Sequence, residues 1–138
     1  MKIALAGNPN CGKTTMFNAL TGRNERVGNW SGVTVDKKEA SIKHSFAPEG
    51  ENLILVDLPG AYSLSTYSTE ESIAKDFILQ EKPDVIINIV DATNLNRSLF
   101  LTTQLLELNI PVVVALNKID LAEKKGNRID VTALSEAL

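Results

Sequence analysis

The sequence is 138 residues long, enough for one domain with one sizeable core, and its 43% apolar and 22% charged residues are ordinary for a globular protein. Fourteen Lys and Arg against seventeen Asp and Glu leave a net charge of −3, which argues against nucleic acid or anionic lipid held by bulk charge. A single cysteine, Cys11, excludes an internal disulfide framework, and a single histidine, His44, excludes a multi-histidine metal centre.

Along the chain, short apolar runs alternate with longer helix-like segments, with no repeat or low-complexity tract. Residues 2–6 read as a buried strand, 7–12 as a turn-rich loop, and 13–20 as a helix stopped by Gly22. Residues 23–36 show no clean period around Trp30 and read as a loop, which leaves Trp30 either an exposed loop residue or an anchor for a partner. Residues 37–46 alternate polar and apolar as a half-exposed strand does, placing His44 on that strand, and Pro48-Glu49-Gly50 turns the chain into a strand over 52–56. A loop is expected over 57–69, a helix over 70–80, an apolar strand over 84–90, an amphipathic helix over 94–108 and an apolar strand over 111–116. Glu123-Lys124-Lys125 reads as a solvated helix or loop end, and a last helix begins at Val131. Alternation of this kind, with all-apolar central strands, predicts a parallel sheet covered on both faces, with the 37–46 and 52–56 hairpin antiparallel at its edge. The longest apolar runs, such as 110–116, are far shorter than a membrane span, and the apolar stretch after Lys2 is too short for a signal peptide. A soluble, cytoplasmic piece of chain is expected.

Three motifs carry chemistry. Gly7-Asn8-Pro9-Asn10-Cys11-Gly12-Lys13-Thr14 fits G-x-x-x-x-G-K-[ST] and lies between a predicted strand and a predicted helix. Its glycines let backbone N–H groups turn inward around phosphates, and the helix N-terminus adds partial positive charge. Lys13 neutralises the β- and γ-phosphates in this reading, and the Thr14 hydroxyl ligates Mg²⁺. Cys11 is read as a small residue fitted beneath the phosphate rather than a redox centre. Asp57-Leu58-Pro59-Gly60 ends a predicted strand as D-x-x-G, where Asp57 holds Mg²⁺ through water and the Gly60 amide faces the γ-phosphate. Asn117-Lys118-Ile119-Asp120 ends the last predicted strand. The Asp120 carboxylate can accept from both the ring N–H and the exocyclic amine of guanine, a pair that adenine does not offer in that arrangement. The Lys118 stem lies along the purine, and Asn117 ties this loop to the phosphate loop. The base is expected to be guanine.

In this order the motifs resemble those of translation-factor-type GTPases, with Thr34 in the place of the switch threonine that closes on Mg²⁺ and the γ-phosphate. Within that class, GNPNCGKTT over 7–15, VGNWSGVTV over 27–35 and VDLPGAYSL over 56–64 resemble the cytoplasmic G domain of the ferrous-iron transport protein B (FeoB) family, over essentially the whole chain. Ser31 stands where that family usually has proline and Asp36 where it has glutamate, which implies altered loop mobility rather than lost binding. The resemblance implies a Ras-like P-loop GTPase fold, a mostly parallel doubly wound sheet with one antiparallel edge strand. It implies a nucleotide site of Asn8, Pro9, Asn10, Cys11, Gly12, Lys13, Thr14 and Thr15, of Val33 and Thr34, of Asp57, Leu58, Pro59 and Gly60, and of Asn117, Lys118 and Asp120. Mg²⁺ would be held by Thr14, Thr34 and Asp57, and the reacting groups would be Lys13, Thr34, Gly60 and Asn10.

Residue 61 is alanine where many GTPases use glutamine to orient water, so slow hydrolysis is expected, or another charge stabiliser. The resemblance implies which: K⁺ held by Asn10, with backbone carbonyls near Asn29 and Trp30 completing its shell, standing where an arginine finger otherwise lies. G domains of this class add one more strand, a guanine-contacting loop and a closing helix. The sequence stops at Leu138 before them. Residues 1–138 are therefore expected to be a C-terminally incomplete G domain, with an unpaired edge on the 111–116 strand inviting self-association. The resemblance implies helical and membrane permease domains downstream, at the cytoplasmic face of the inner membrane. Two other readings are a partner-recruiting switch whose hydrolysis is only a timer, and an assembly or RNA-modification GTPase, against which the acidic balance and the Gly28-Asn29-Trp30 stretch speak.

Overall fold

In strand β1 (Lys2–Gly7), Ile3 and Leu5 face one side of the sheet and Ala4 and Ala6 the other, the alternation of a strand buried on both faces. The computed structural model describes residues 1–23, 25–65 and 67–138. Around β1 lie β2 (Arg26–Asn29), β3 (Asp36–Ser41), β4 (Ile54–Asp57), β5 (Val85–Asp91) and β6 (Val112–Asn117) in the order β2-β3-β4-β1-β5-β6. The four strands β4, β1, β5 and β6 are parallel, and β3 runs antiparallel to both β4 and β2. The parallel sheet and edge hairpin are as expected. The edge itself carries two antiparallel strands rather than one, because residues 26–29 of the expected loop pair with β3. Asn24 and Thr66, in the loops expected over 23–36 and 57–69, lie outside the described residues.

Helix α1 (Lys13–Thr21) covers the face of Ile3, Leu5, Leu55 and Ile89 with Phe17, and ends where Gly22 takes a left-handed φ of 67°. Helices α2 (Thr69–Glu81) and α3 (Leu95–Leu106) cover the other face with Ala74, Phe77, Ile78, Leu101 and Leu105. Ser68 caps α2 by accepting from the Glu71 N–H at 3.1 Å, while Glu70 and Glu71 complement the helix dipole. Two short helices, α4 (Ile119–Lys124) and α5 (Val131–Ala137), follow β6. α4 was not legible in the sequence; Lys124 and Lys125 form its exposed end. Beyond Ser41 the expected strand breaks, and His44 opens a 3₁₀ turn, exposed.

Trp30 overturns both expectations for it. The ring is 9% exposed and packs edge-on to Phe77 with centroids 5.6 Å apart, so the 30–35 segment is pinned to α2. Val33 and Val35 pack on the same core, the Trp30 N–H donates to Val35 O at 2.9 Å, and Lys37 Nζ sits 4.9 Å from the indole centroid. Among the described residues, no helix is long and apolar enough to cross a membrane.

Candidate functional site: a loop cradle at the carboxyl ends of the strands

All three motifs emerge at the carboxyl ends of parallel strands, where open α/β sheets bind ligands. β1 ends at Gly7 and α1 begins at Lys13, so five residues must reverse the chain. They do so with Asn10 at φ 63° and Gly12 at φ 101°. A Cβ on Gly7 would lie 2.5 Å from Cys11 Sγ, so the loop closes only because residue 7 has no side chain. Burial pushes the Cys11 thiol above its ordinary value and outweighs the opposing charge of Lys13. Cys11 is therefore a protonated packing residue at neutral pH, in keeping with its sequence reading.

Lys13 Nζ lies 3.1 Å from Asp57 Oδ1, with the two side chains 12% and 13% exposed. This pair joins the phosphate loop to the end of β4. Lys13 stands between two cavities. One, of about 330 Å³, is lined by Asn8, Asn10, Gly12, Lys13, Thr14, Thr15 and Lys118. The other, of about 500 Å³, lies towards Pro9, Gly60, Ala61, Tyr62 and the start of α2. Gly60 passes so close to Pro9 that a Cβ would come within 3.0 Å of its backbone, and the Ala61 N–H donates to Gly7 O at 3.0 Å.

The base-side motif grips the loop from the other end. Asn117 Nδ2 donates to Cys11 O at 2.9 Å, and Lys118 Nζ donates to Asn10 O at 2.9 Å, so neighbouring side chains hold consecutive carbonyls. Asn117 thus makes the tie expected of it. Lys118 itself adopts a left-handed φ of 60°. Its ammonium also pairs with Asp91 Oδ2 at 3.3 Å, a residue sequence reasoning missed. Burial works to raise the Asp91 carboxyl, but hydrogen bonds from Thr93 and Lys118, with the Lys118 charge, together hold it below its ordinary 3.8. The stability this carboxylate contributes is therefore present above 3.8 and is lost as pH falls through the lowered value.

The remaining expected residues are less closely joined. Thr14, Thr15, Thr34 and Asp120 are exposed. Among the described residues, no hydrogen bond or ion pair links Thr34 or Asp120 to the phosphate loop. Pro59 is half-buried beside Gly60. Leu58 is 1% exposed and its N–H donates to Leu5 O, so its side chain belongs to the core. The oxygens of Thr14 and Asp57 are hard donors of the kind Mg²⁺ takes alongside phosphate oxygens, and Asn10 stands exposed on the wall of the cradle. Among the described residues, no cluster of three or more His, Cys, Asp or Glu forms a metal centre of its own.

A phosphate loop between β1 and α1, an Asp-x-x-Gly turn after β4 and an Asn-Lys-x-Asp turn after β6 define the class of P-loop GTPase domains. A sequence profile of the ferrous iron transport protein B family matches residues 1–138. The chain belongs to that family, FeoB. It is 56% identical to the Fe(2+) transporter FeoB of Salmonella typhimurium over 142 aligned residues, covering all of this chain but 18% of that protein. Among solved structures, the cytosolic domain of L. pneumophila FeoB is similar with a TM-score of 0.90 at 50% identity, covering 99% of this chain and 53% of that one. An S. thermophilus NFeoB mutant bound to GDP gives 0.89 at 51% identity, covering 99% and 52%. Such solved neighbours place the mixed six-stranded sheet in the P-loop GTPase fold.

Proposed function

We propose that this chain is the G domain of a ferrous-iron uptake transporter, a guanine-nucleotide switch that binds GTP and GDP with Mg²⁺ and hydrolyses GTP with K⁺ assistance. The observation that carries the reading is the double grip of Asn117 and Lys118 on the carbonyls of Cys11 and Asn10, which makes the base-selecting and phosphate-binding loops one unit. The GDP carried by the S. thermophilus relative supports the nucleotide. Helical and membrane permease domains are the further parts this reading assigns to the longer protein, with the G domain at the cytoplasmic face.

The phosphates lie along the 7–14 loop, where the start of α1 favours anions. Lys13, now paired with Asp57, turns its ammonium to the β- and γ-phosphates. Asp57 is then free to face the metal side, with Thr14 and Thr34 supplying hydroxyl oxygens. Bound Mg²⁺ and K⁺ would neutralise charge developing on the transferred phosphoryl group. Ala61 offers only a methyl group and an N–H already given to Gly7, so residue 61 itself orients no water.

A calorimetric titration with GDP and ADP, each with Mg²⁺, tests the base. GDP is expected to bind and ADP not to bind, whereas equal affinity would sink the guanine assignment. GTP turnover measured in KCl and in NaCl tests the cation. A clear rise with K⁺ is expected. Indifference would favour the second reading that Ala61 keeps open, a partner-recruiting switch with hydrolysis as a slow timer.

A further inference from the structure

We infer that Asp91 is a positioning residue of the nucleotide site, whose carboxylate fixes the Lys118 ammonium against the phosphate loop and so holds the lysine stem where the purine ring lies. The inference rests on the guanine-nucleotide reading above and assigns a role to a residue that none of the three motifs contains.

Strand register brings the two side chains together. Asp91 is the last residue of β5 and pairs with Asn117, the last of β6, so the sheet delivers its carboxylate beside Lys118. The carboxylate is itself fixed. Asp91 Oδ1 accepts from Thr93 N at 2.9 Å and from Thr93 Oγ1 at 2.5 Å, and the Asp91 N–H donates to Ser98 Oγ at 3.3 Å. The two Thr93 bonds cap the 3₁₀ turn Ala92–Asn94 and account for Oδ1 alone. Oδ2 is committed to Lys118 Nζ at 3.3 Å, and the two side chains are 18% and 32% exposed.

Lysine is among the most flexible side chains, and an ammonium carries three donors. With Asn10 O as its only acceptor, at 2.9 Å, Lys118 would be held at one point and free to swing. A second, charged acceptor on a rigid turn removes that freedom before nucleotide arrives, so less ordering remains to be done on binding. The chain Thr93–Asp91–Lys118–Asn10 therefore braces the phosphate loop through the base-side lysine.

Asp91→Asn separates this role from capping, because the amide oxygen can still accept from Thr93 while the negative charge facing Lys118 is lost. GDP binding to Asp91→Asn is expected to be about tenfold weaker, with a small fall in the unfolding midpoint that reflects only the stability the carboxylate contributes. In a Lys118→Ala background the same substitution is expected to change GDP affinity less than twofold, since its partner is gone. Unchanged GDP affinity in the single variant, or the full loss repeated in the Lys118→Ala background, overturns the inference. Amide exchange without nucleotide supplies an independent readout. The Cys11 N–H, which donates to Asn8 O, is expected to exchange faster in Asp91→Asn than in the unsubstituted chain. If the unsubstituted chain bound ADP as tightly as GDP, the guanine reading would fall while the exchange comparison still decided the bracing role. Equal exchange would overturn that role too.

Discussion

Replacing Gly12 with alanine is expected to abolish measurable GDP binding and to destabilise the fold by about 2–4 kcal/mol, the sum of a strained backbone and a broken part-buried hydrogen bond. Gly12 has φ 101° and ψ 18°, a region that costs an L-residue free energy before any contact is counted. The added Cβ would then run into the Asn117 side-chain amide. That amide can retreat only by giving up Cys11 O, which removes one of the two ties between the base-side and phosphate loops. Gly126 is the matched control, since its φ of 80° is also left-handed but its Cβ would meet open space. Chemical denaturation and GDP titration of both variants separate the terms. Gly126→Ala should show the backbone cost alone and bind normally. A Gly12→Ala chain that bound GDP as well as the parent would remove the loop from the nucleotide site.

The second large effect is expected at Asp120. Asp120→Asn should weaken GDP about 100- to 1,000-fold, because the guanine amine then meets an amide donor and the acceptor left for the ring N–H is no longer charged, and should improve xanthosine diphosphate. The asparagine amide can donate to the carbonyl that xanthine carries in place of the guanine amine, while its oxygen still accepts from the ring N–H. Asp120 is exposed in the first turn of α4, so its charge adds only a few tenths of a kcal/mol through the helix dipole. Calorimetry with both nucleotides reads the exchange of preference. Equal weakening of both would mean that Asp120 supports α4 instead of choosing the base.

What could be read from residues alone followed from how local each signal is. The phosphate loop is written in eight consecutive residues, and the apolar runs of β1 and β5 announce buried parallel strands, while the equally apolar run of β6 ends up only half-buried at the sheet edge. β2 was not legible because its four residues Arg26–Asn29 are all exposed and include a glycine, so nothing alternates. Its strand state is set by pairing with β3. Helix α4, six residues long, is too short to show a period. The burial of Trp30 depends on Phe77, 47 positions away, and Asp91 meets Lys118 only through the register of β5 on β6. Pairings made by tertiary structure leave no spacing to detect.

Trp30 is the single tryptophan of the chain, and it is seated at the edge of the core four positions before Thr34. Its indole lies between Phe77 and the ammonium of Lys37, and its Nε1 has no hydrogen-bond partner among the described residues. The intrinsic fluorescence of the protein is therefore a one-site optical reporter. Emission maximum and quenching follow the seating of the 30–35 segment on α2, with no label attached and no second indole to confuse the signal.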